Sequence, residues 1–105
     1  MRIRTTPRGT AYIYTTQEEL AASGLDAFSA SRGMVGTMAD LRGIRKWVNF
    51  TETPDGVLCE LRSSDYNINP IAVKYGGGGH AKASGATVPD RETAMQMLHD
   101  LDELG

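Results

Sequence analysis

The sequence of 105 residues lacks most of the features that would assign it to a specialised class of protein. Its single cysteine excludes an internal disulfide, and with only two, well-separated histidines it cannot form a Cys/His metal cluster. No apolar run reaches the length of a membrane span, and the N-terminus has no signal-peptide core. The formal net charge of −2 excludes the broad basic surface of proteins that coat duplex nucleic acid. We therefore expect one cytoplasmic domain without membrane contact, in which anion binding is local.

Four runs predict the strands of a single α/β domain: the first is rich in tyrosine and begins with glycine, the next two alternate between two faces, and the last begins with small residues. These runs cover residues 9–16, 44–52, 57–63 and 83–88. The sequence TPDG at 53–56 has proline and glycine in favoured turn positions, so it joins the second and third strands in a hairpin. Cys59 falls in the apolar alternation of the third strand, which predicts a buried structural thiol.

Capping signals and apolar periodicity predict four helices. Thr16 fits the first position of a capping box, and a weaker pattern covers 26–43. Asn69 followed by Pro70 predicts the N-cap and first turn of a third helix. Asp90 caps the last helix, whose apolar stripe is Ala94, Met97, Leu98, Leu101 and Leu104. The order β-α-α-β-β-α-(Gly loop)-β-α predicts a mixed β-sheet flanked by helices.

The stretch GGGGH at 76–80 needs a specific explanation, because each glycine loses more backbone freedom on folding than any other residue. A flexible linker does not fit, since a strand follows at once and too little chain remains for a second domain. A tight turn needs only one or two glycines. The match of Gly76-x-Gly78-x-x-Ala81 to the dinucleotide fingerprint is accidental, because here a helix precedes and a strand follows, and the triphosphate loop lacks its Lys-Ser/Thr pair.

We therefore favour a backbone cradle in which glycine N–H groups face a phosphate. His80 adds a side-chain donor at the end of the segment, and Lys82 and Ser84 add further donors. Arg62 closes the preceding strand beside Ser63 and points away from the core if Leu61 points into it. Its planar guanidinium suits a phosphate or a base edge.

Other polar and aromatic residues are predicted to have ordinary structural roles. Trp47 and Phe50 are expected to pack in the core, and His99 is expected at the surface of the last helix. The acidic residues at the end of that helix are expected to form a solvated face rather than a metal site, and they are Asp100, Asp102 and Glu103.

The stretch LRSSDYNINPIAVKYGGGGHAKASGAT, residues 61–87, resembles the C-terminal substrate-binding (DHH-associated) domain of the DHH phosphoesterase superfamily. The likeness is nearest to the oligoribonuclease and adenosine bisphosphate phosphatase subgroup and to the cyclic-dinucleotide phosphodiesterases. That family has an Arg-Ser step at a strand end, a short helix, Gly-Gly-Gly-Gly-His, and then Ala-Ser/Ala-Gly-Ala. The resemblance implies that the substrate-binding residues are Arg62, Ser63, Gly77, Gly78, Gly79, His80 and Ser84.

The resemblance also implies what this chain does not carry. In the family the domain is covalently linked to an N-terminal DHH catalytic domain, whose Asp-His-His and further aspartates bind two divalent ions, usually manganese. This sequence has no such motif. Residues 1–105 are then one substrate-binding domain for a short oligonucleotide or a small nucleotide phosphate, inactive alone and without a metal, with His80 assisting at the domain cleft.

A second function stays open at this point. A similar domain at the C-terminus of alanyl-tRNA synthetase helps with RNA recognition, which implies a stand-alone RNA- or nucleotide-binding module without catalysis. The sequence also leaves open whether the protein forms a homodimer.

Overall fold

The structure, a computed structural model, describes residues 3–24, 26 and 43–104. In these residues one six-stranded sheet has the strand order β1-β2-β3-β4-β6-β5. Only the β2–β3 pair is parallel, and the other neighbours in this sheet are antiparallel. The strands are β1 (Arg4–Thr5), β2 (Ala11–Thr15), β3 (Lys46–Thr53), β4 (Gly56–Ser63), β5 (Gly78–His80) and β6 (Ala83–Val88), and the helices are α1 (Gln17–Ser23), α2 (Asn69–Lys74) and α3 (Arg91–Glu103). The predicted α/β class with a mixed sheet is confirmed, and the helix predicted at 26–43 lies outside the described residues apart from its two ends.

Local capping chemistry determines where α1 and α3 begin. The Thr16 hydroxyl accepts a hydrogen bond from the Glu19 amide at 3.2 Å, and the Glu19 carboxylate accepts one from the Thr16 amide at 3.0 Å. Asp90 accepts a hydrogen bond from the Thr93 amide at 2.8 Å. Both predicted caps are therefore confirmed. Each accepts hydrogen bonds from amides that the first helical turn leaves without a partner.

The main core lies between the sheet and the two helices α2 and α3. Alternate residues of β3 and β4 face these helices, and α3 contributes the predicted stripe. Cys59 is 1% exposed, and burial raises the pKa of its thiol to about 12, so it is the structural cysteine that the sequence predicted. The fully buried members of this core include Val48, Phe50, Leu61, Ile68, Met97 and Leu101. On the other sheet face a second cluster contains Ala11, Ile13 and Trp47.

The C-terminal end of α3 is held inside the fold at Asp102, which corrects the prediction of a solvated side chain for this residue, whereas Glu103 is exposed as predicted. Asp102 is buried and accepts hydrogen bonds from the hydroxyls of Thr6 and Thr10 and, at 3.4 Å, from the Arg8 amide. The buried Lys46 ammonium donates to the carbonyls of Leu101, Asp102 and Leu104, where the helix dipole favours a cation. Asp102 in the last turn of α3 thus connects the helix to the N-terminal segment through its hydrogen bonds.

The segment between α2 and β6 also departs from the prediction in two details. Asn69 is the first residue of α2 rather than its N-cap, which is Ile68, and the side chain of Asn69 reaches the glycine stretch instead. The predicted glycine loop ends in a short strand, β5, at the edge of the sheet. We call residues 76–80 the glycine segment.

Candidate functional site

The registers of the sheet place two of the predicted site residues on one face. Residues directly opposite one another on neighbouring antiparallel strands share a face. Arg62 on β4 lies opposite Ala83 on β6, and Ala83 lies opposite His80 on β5. Arg62 and His80 are therefore two strand spacings apart, roughly 10 Å, on the same face. We call this side of β4, β6 and β5 the site face.

The floor of the site face between Arg62 and His80 carries almost no side-chain bulk. In the next row Glu60 lies opposite Gly85, which in turn lies opposite Gly78. Ala83 is the residue that lies between Arg62 and His80 in their own row. The backbone of β5 and β6 is therefore open to close approach from this side.

Arg62 is anchored through one nitrogen and leaves the rest of its guanidinium available. Nη1 donates to the Glu60 carboxylate at 3.2 Å, to the Leu61 carbonyl at 2.9 Å and to the Ser84 carbonyl at 3.5 Å. None of its hydrogen bonds within the described residues uses Nε or Nη2. These two nitrogens form the side-on edge that binds a carboxylate or phosphate through two parallel hydrogen bonds.

The four glycines of the segment differ in what the fold requires of them. A Cβ on Gly77 would lie 2.0 Å from the Gly85 carbonyl oxygen, and one on Gly79 would lie 2.7 Å from the Ala83 carbonyl oxygen. Gly79 also adopts a φ of +137° and Gly76 a φ of +87°, which disfavour a side chain. Gly78 has neither constraint, since its φ is not positive and a Cβ there would meet nothing within 4 Å.

Three of the residues predicted to bind the ligand are engaged or buried within the fold. The Gly77 amide donates to the Ala72 carbonyl at 2.8 Å, so it closes the end of α2 and is not free for a ligand. Ser63 is buried on the helix-covered face opposite Lys46, and its hydroxyl is engaged with the backbone of Tyr66. Ser84 is 3% exposed on that same face. The structure gives Gly77, Ser63 and Ser84 roles inside the fold, and a contact of these residues with a ligand stays a prediction.

Sequence reasoning missed Asn69, because Asn before Pro is the ordinary signature of a helix N-cap. Its side-chain amide donates to the Gly79 carbonyl at 3.1 Å and to the Ser84 hydroxyl at 3.2 Å. It missed Glu60 as well, although its place two residues before Arg62 on one strand signals a shared face.

In the part of the chain that the structure describes, there is no candidate metal site, and the cavity with a substantial volume lies away from the site face. Within residues 3–24, 26 and 43–104 no group of three His, Cys, Asp or Glu side chains could hold a metal ion. No described helix is long and apolar enough to cross a bilayer. A cavity of about 670 Å³ lies between α2 and α3, but Lys74 at its edge is paired with Asp100 at 2.8 Å, which disfavours an anion there.

Comparison with known proteins identifies the class to which this fold and site belong. The family description "DHHA1 domain" matches residues 14–104, and the chain belongs to this family, the DHH-associated domain of the DHH phosphoesterase superfamily. The resemblance noted in residues 61–87 is thereby confirmed.

Curated relatives point to a narrower group. The chain is 40% identical over 96 residues to the bifunctional oligoribonuclease and PAP phosphatase NrnA of Bacillus subtilis (strain 168), a match that covers 91% of this chain and 30% of that protein. It is 34% identical over 67 residues to the protein of the same name from Mycoplasma genitalium, covering 63% of this chain and 21% of the relative. The chain thus spans a third or less of the length of these relatives.

Solved structures share the fold at low sequence identity. An exopolyphosphatase-related protein from Bacteroides fragilis has a TM-score of 0.84 at 23% identity, over 97% of this chain and 31% of the other. A pGpG-specific phosphodiesterase from Vibrio cholerae has a TM-score of 0.60 at 16% identity, over 95% and 33%. The C-Ala domain of Aquifex aeolicus alanyl-tRNA synthetase has a TM-score of 0.68 at 11% identity, over 98% and 96%. At these identities the likeness is one of fold.

Proposed function

We propose that this chain is the substrate-binding domain of a metal-dependent phosphoesterase that hydrolyses short oligonucleotides or small phosphorylated nucleotides. One observation carries the proposal: Gly78 has no folding reason to be glycine, and it lies on the same face as His80 and Arg62. A missing side chain that the fold does not require is explained by close approach of a ligand to the backbone.

The side chains on this face suit a phosphate-bearing ligand. The free Nε and Nη2 edge of Arg62 binds two oxygens of one phosphate, and the exposed His80 ring supplies a further polar contact across the glycine floor. A flat floor of Gly78, Ala83 and Gly85 accommodates a sugar or backbone between them. These groups bind and orient the ligand, and no nucleophile is needed among them.

The described residues do not fit the metal ions that the family uses, since they contain no cluster of three suitable ligands. The described residues therefore bind and orient the ligand without a part in a metal-dependent step. Under the proposal, manganese or another divalent ion and the activated water belong to a covalently linked N-terminal DHH catalytic domain, with His80 facing the cleft between the two domains.

Titration of this chain with the 5′-phosphorylated dinucleotide pApA, followed by amide NMR, tests the proposal. We expect shifts at Gly78, Gly79 and His80, and about tenfold weaker binding for Arg62→Ala and for His80→Ala. Val73→Ala, an exposed change on α2, is the control and is expected to bind normally. Absence of pApA binding would refute the proposal, and manganese-dependent cleavage of pApA by this chain alone would refute the assignment of the chemistry to another domain.

The rival function is a stand-alone RNA-binding module. It is supported by one observation, namely that this chain shares its fold with the C-Ala domain of an alanyl-tRNA synthetase at a TM-score of 0.68. Tight binding of a structured RNA hairpin together with no binding of pApA would favour the rival.

A further inference from the structure

Asn69 connects α2 to the glycine segment through side-chain hydrogen bonds. Its amide nitrogen donates to the Gly79 carbonyl at 3.1 Å and to the Ser84 hydroxyl at 3.2 Å. Ser84 in turn donates to the His80 carbonyl at 2.6 Å. One amide thus holds two successive residues of β5, the first directly and the second through Ser84.

The direction of every hydrogen bond in this chain of contacts is determined by the chemistry of its ends. The carbonyls of Gly79 and His80 only accept, so the Ser84 hydroxyl must give its single proton to His80. Ser84 then accepts from Asn69, and the two amide protons of Asn69 are divided between Gly79 and Ser84. Aspartate has the same shape but, when ionised, no proton to donate, so it cannot replace Asn69 in this arrangement.

The glycine segment needs such support because few backbone hydrogen bonds hold it in one conformation. β5 has three residues, pairs with one neighbour, and lies at the edge of the sheet. Glycine-rich backbone is costly to order, and a ligand that had to order it on binding would lose affinity.

We propose that Asn69 is a positioning residue of the site face, which holds Gly79 directly and His80 through Ser84 so that residues 78–80 are ordered before a phosphate-bearing ligand arrives. The inference rests on the proposed function and adds a residue outside the glycine segment to its binding site. Asn69 does not need to touch the ligand in order to act.

The test compares Asn69→Ala, Asn69→Asp and Ser84→Ala with the control Val73→Ala, which lies on the same helix and is 55% exposed. We expect about tenfold weaker pApA binding for each Asn69 variant and no loss for the control. Because Asn69 reaches His80 only through Ser84, the double variant Asn69→Ala/Ser84→Ala is expected to lose less than the product of the two single losses. Hydrogen exchange in the free chain is expected to accelerate at Gly79 and His80, with little change in the thermal midpoint.

The possible results separate the two proposals. A wild-type chain that does not bind pApA refutes the proposed function. A wild-type chain that binds, together with Asn69→Ala binding equally well, overturns the role of Asn69 alone. Unchanged exchange at Gly79 and His80 in Asn69→Ala, or fully multiplicative losses in the double variant, also overturns it, since a role that is only structural elsewhere would produce either result.

Discussion

A Cβ on Gly77 would lie 2.0 Å from a backbone carbonyl oxygen of β6, whereas a Cβ on Gly78 would meet nothing within 4 Å. The two residues are adjacent in sequence and identical in type, but Gly77 follows the helix α2 and Gly78 is the first residue of β5. Gly77 meets β6 and the packed side of the sheet, where Ala86 leaves no room. Gly78 faces the open side, opposite Gly85.

The comparison separates two reasons for a run of glycines. Gly77 and Gly79 make the fold possible, because a Cβ on either residue would clash with the backbone of β6. Gly78, in contrast, leaves space on the open face that no other residue of the described chain fills. Variants at these positions, and at residues on either face, are expected to separate effects on stability from effects on binding.

The largest expected effect is at Gly77. Gly77→Ala places a methyl group against the backbone of Gly85 and Ala86, which cannot move without breaking the β5–β6 pairing, so we expect a loss of about 3 kcal/mol in the free energy of unfolding. Gly78→Ala, the matched control, is expected to change stability by less than about 0.5 kcal/mol. Urea unfolding of both variants measures the difference, and equal losses would remove the distinction.

Asp102, which lies away from the glycine segment, is a second residue whose replacement is expected to affect stability and not binding. Burial raises the pKa of Asp102, but hydrogen bonds from Thr6, Thr10 and the Arg8 amide outweigh it and hold the pKa below its usual range. The carboxylate therefore stabilises the fold above about pH 4, and this contribution is lost as the pH falls through the lowered pKa.

Asp102→Asn is thus expected to cost about 2 kcal/mol at neutral pH, and the difference from wild type is expected to shrink below about pH 4. Asp55→Asn in the exposed hairpin turn is the control. Thermal unfolding of both proteins from about pH 3 to about pH 7 measures this difference in stability. The range includes the region of about pH 4 in which carboxylates titrate. pApA binding by folded Asp102→Asn should equal that of wild type, and a constant gap at all pH values would contradict the role of its charge.

Gly78 is expected to show the reverse behaviour, with binding lost and stability kept. Its extended backbone accepts a β-branched residue, so Gly78→Val should fold, while the side chain covers the floor between Arg62 and His80. We expect about tenfold weaker pApA binding for Val and a smaller loss for Ala, with unchanged urea midpoints. A Gly78→Val protein that binds normally would show that no ligand approaches this backbone.

Sequence predicted the elements that rest on local chemistry. The span 83–88 agrees with β6, and the caps at Thr16 and Asp90 are confirmed, because each depends on residues within one turn of chain. The side of β3 that carries Val48 and Phe50 also follows from simple alternation.

What sequence could not predict depends on residues distant in the chain. Glycines have low strand propensity, so β5 exists only because β6 pairs with it. Asn69 matches a cap signature, but it bonds to a carbonyl ten residues later. Asp102 is buried by residues more than ninety positions away. The candidate residues Arg62 and Ser63, adjacent in sequence, lie on opposite faces because successive residues of a strand alternate between its two faces.

The smallest expected effect concerns Glu60, whose negative charge lies on the face proposed to bind phosphate. Its carboxylate pairs with Arg62 at 3.2 Å, and both side chains are less than a third exposed. Glu60→Gln keeps an acceptor for Nη1 but removes the charge, so we expect about threefold tighter pApA binding at low ionic strength and a smaller gain at high salt. Glu92→Gln on α3 makes the same change of charge elsewhere and is the control.

The direction of the Glu60 effect decides what the open face recognises. Tighter binding means that Arg62 meets a phosphate and that Glu60 only holds and partly neutralises it. Weaker binding of pApA, with no change for its deoxyribose counterpart, would mean instead that the carboxylate accepts a hydrogen bond from a ribose 2′-hydroxyl. The floor beside Gly78 would then read the sugar, and the space left by that glycine would be a determinant of specificity for RNA rather than a simple approach to phosphate.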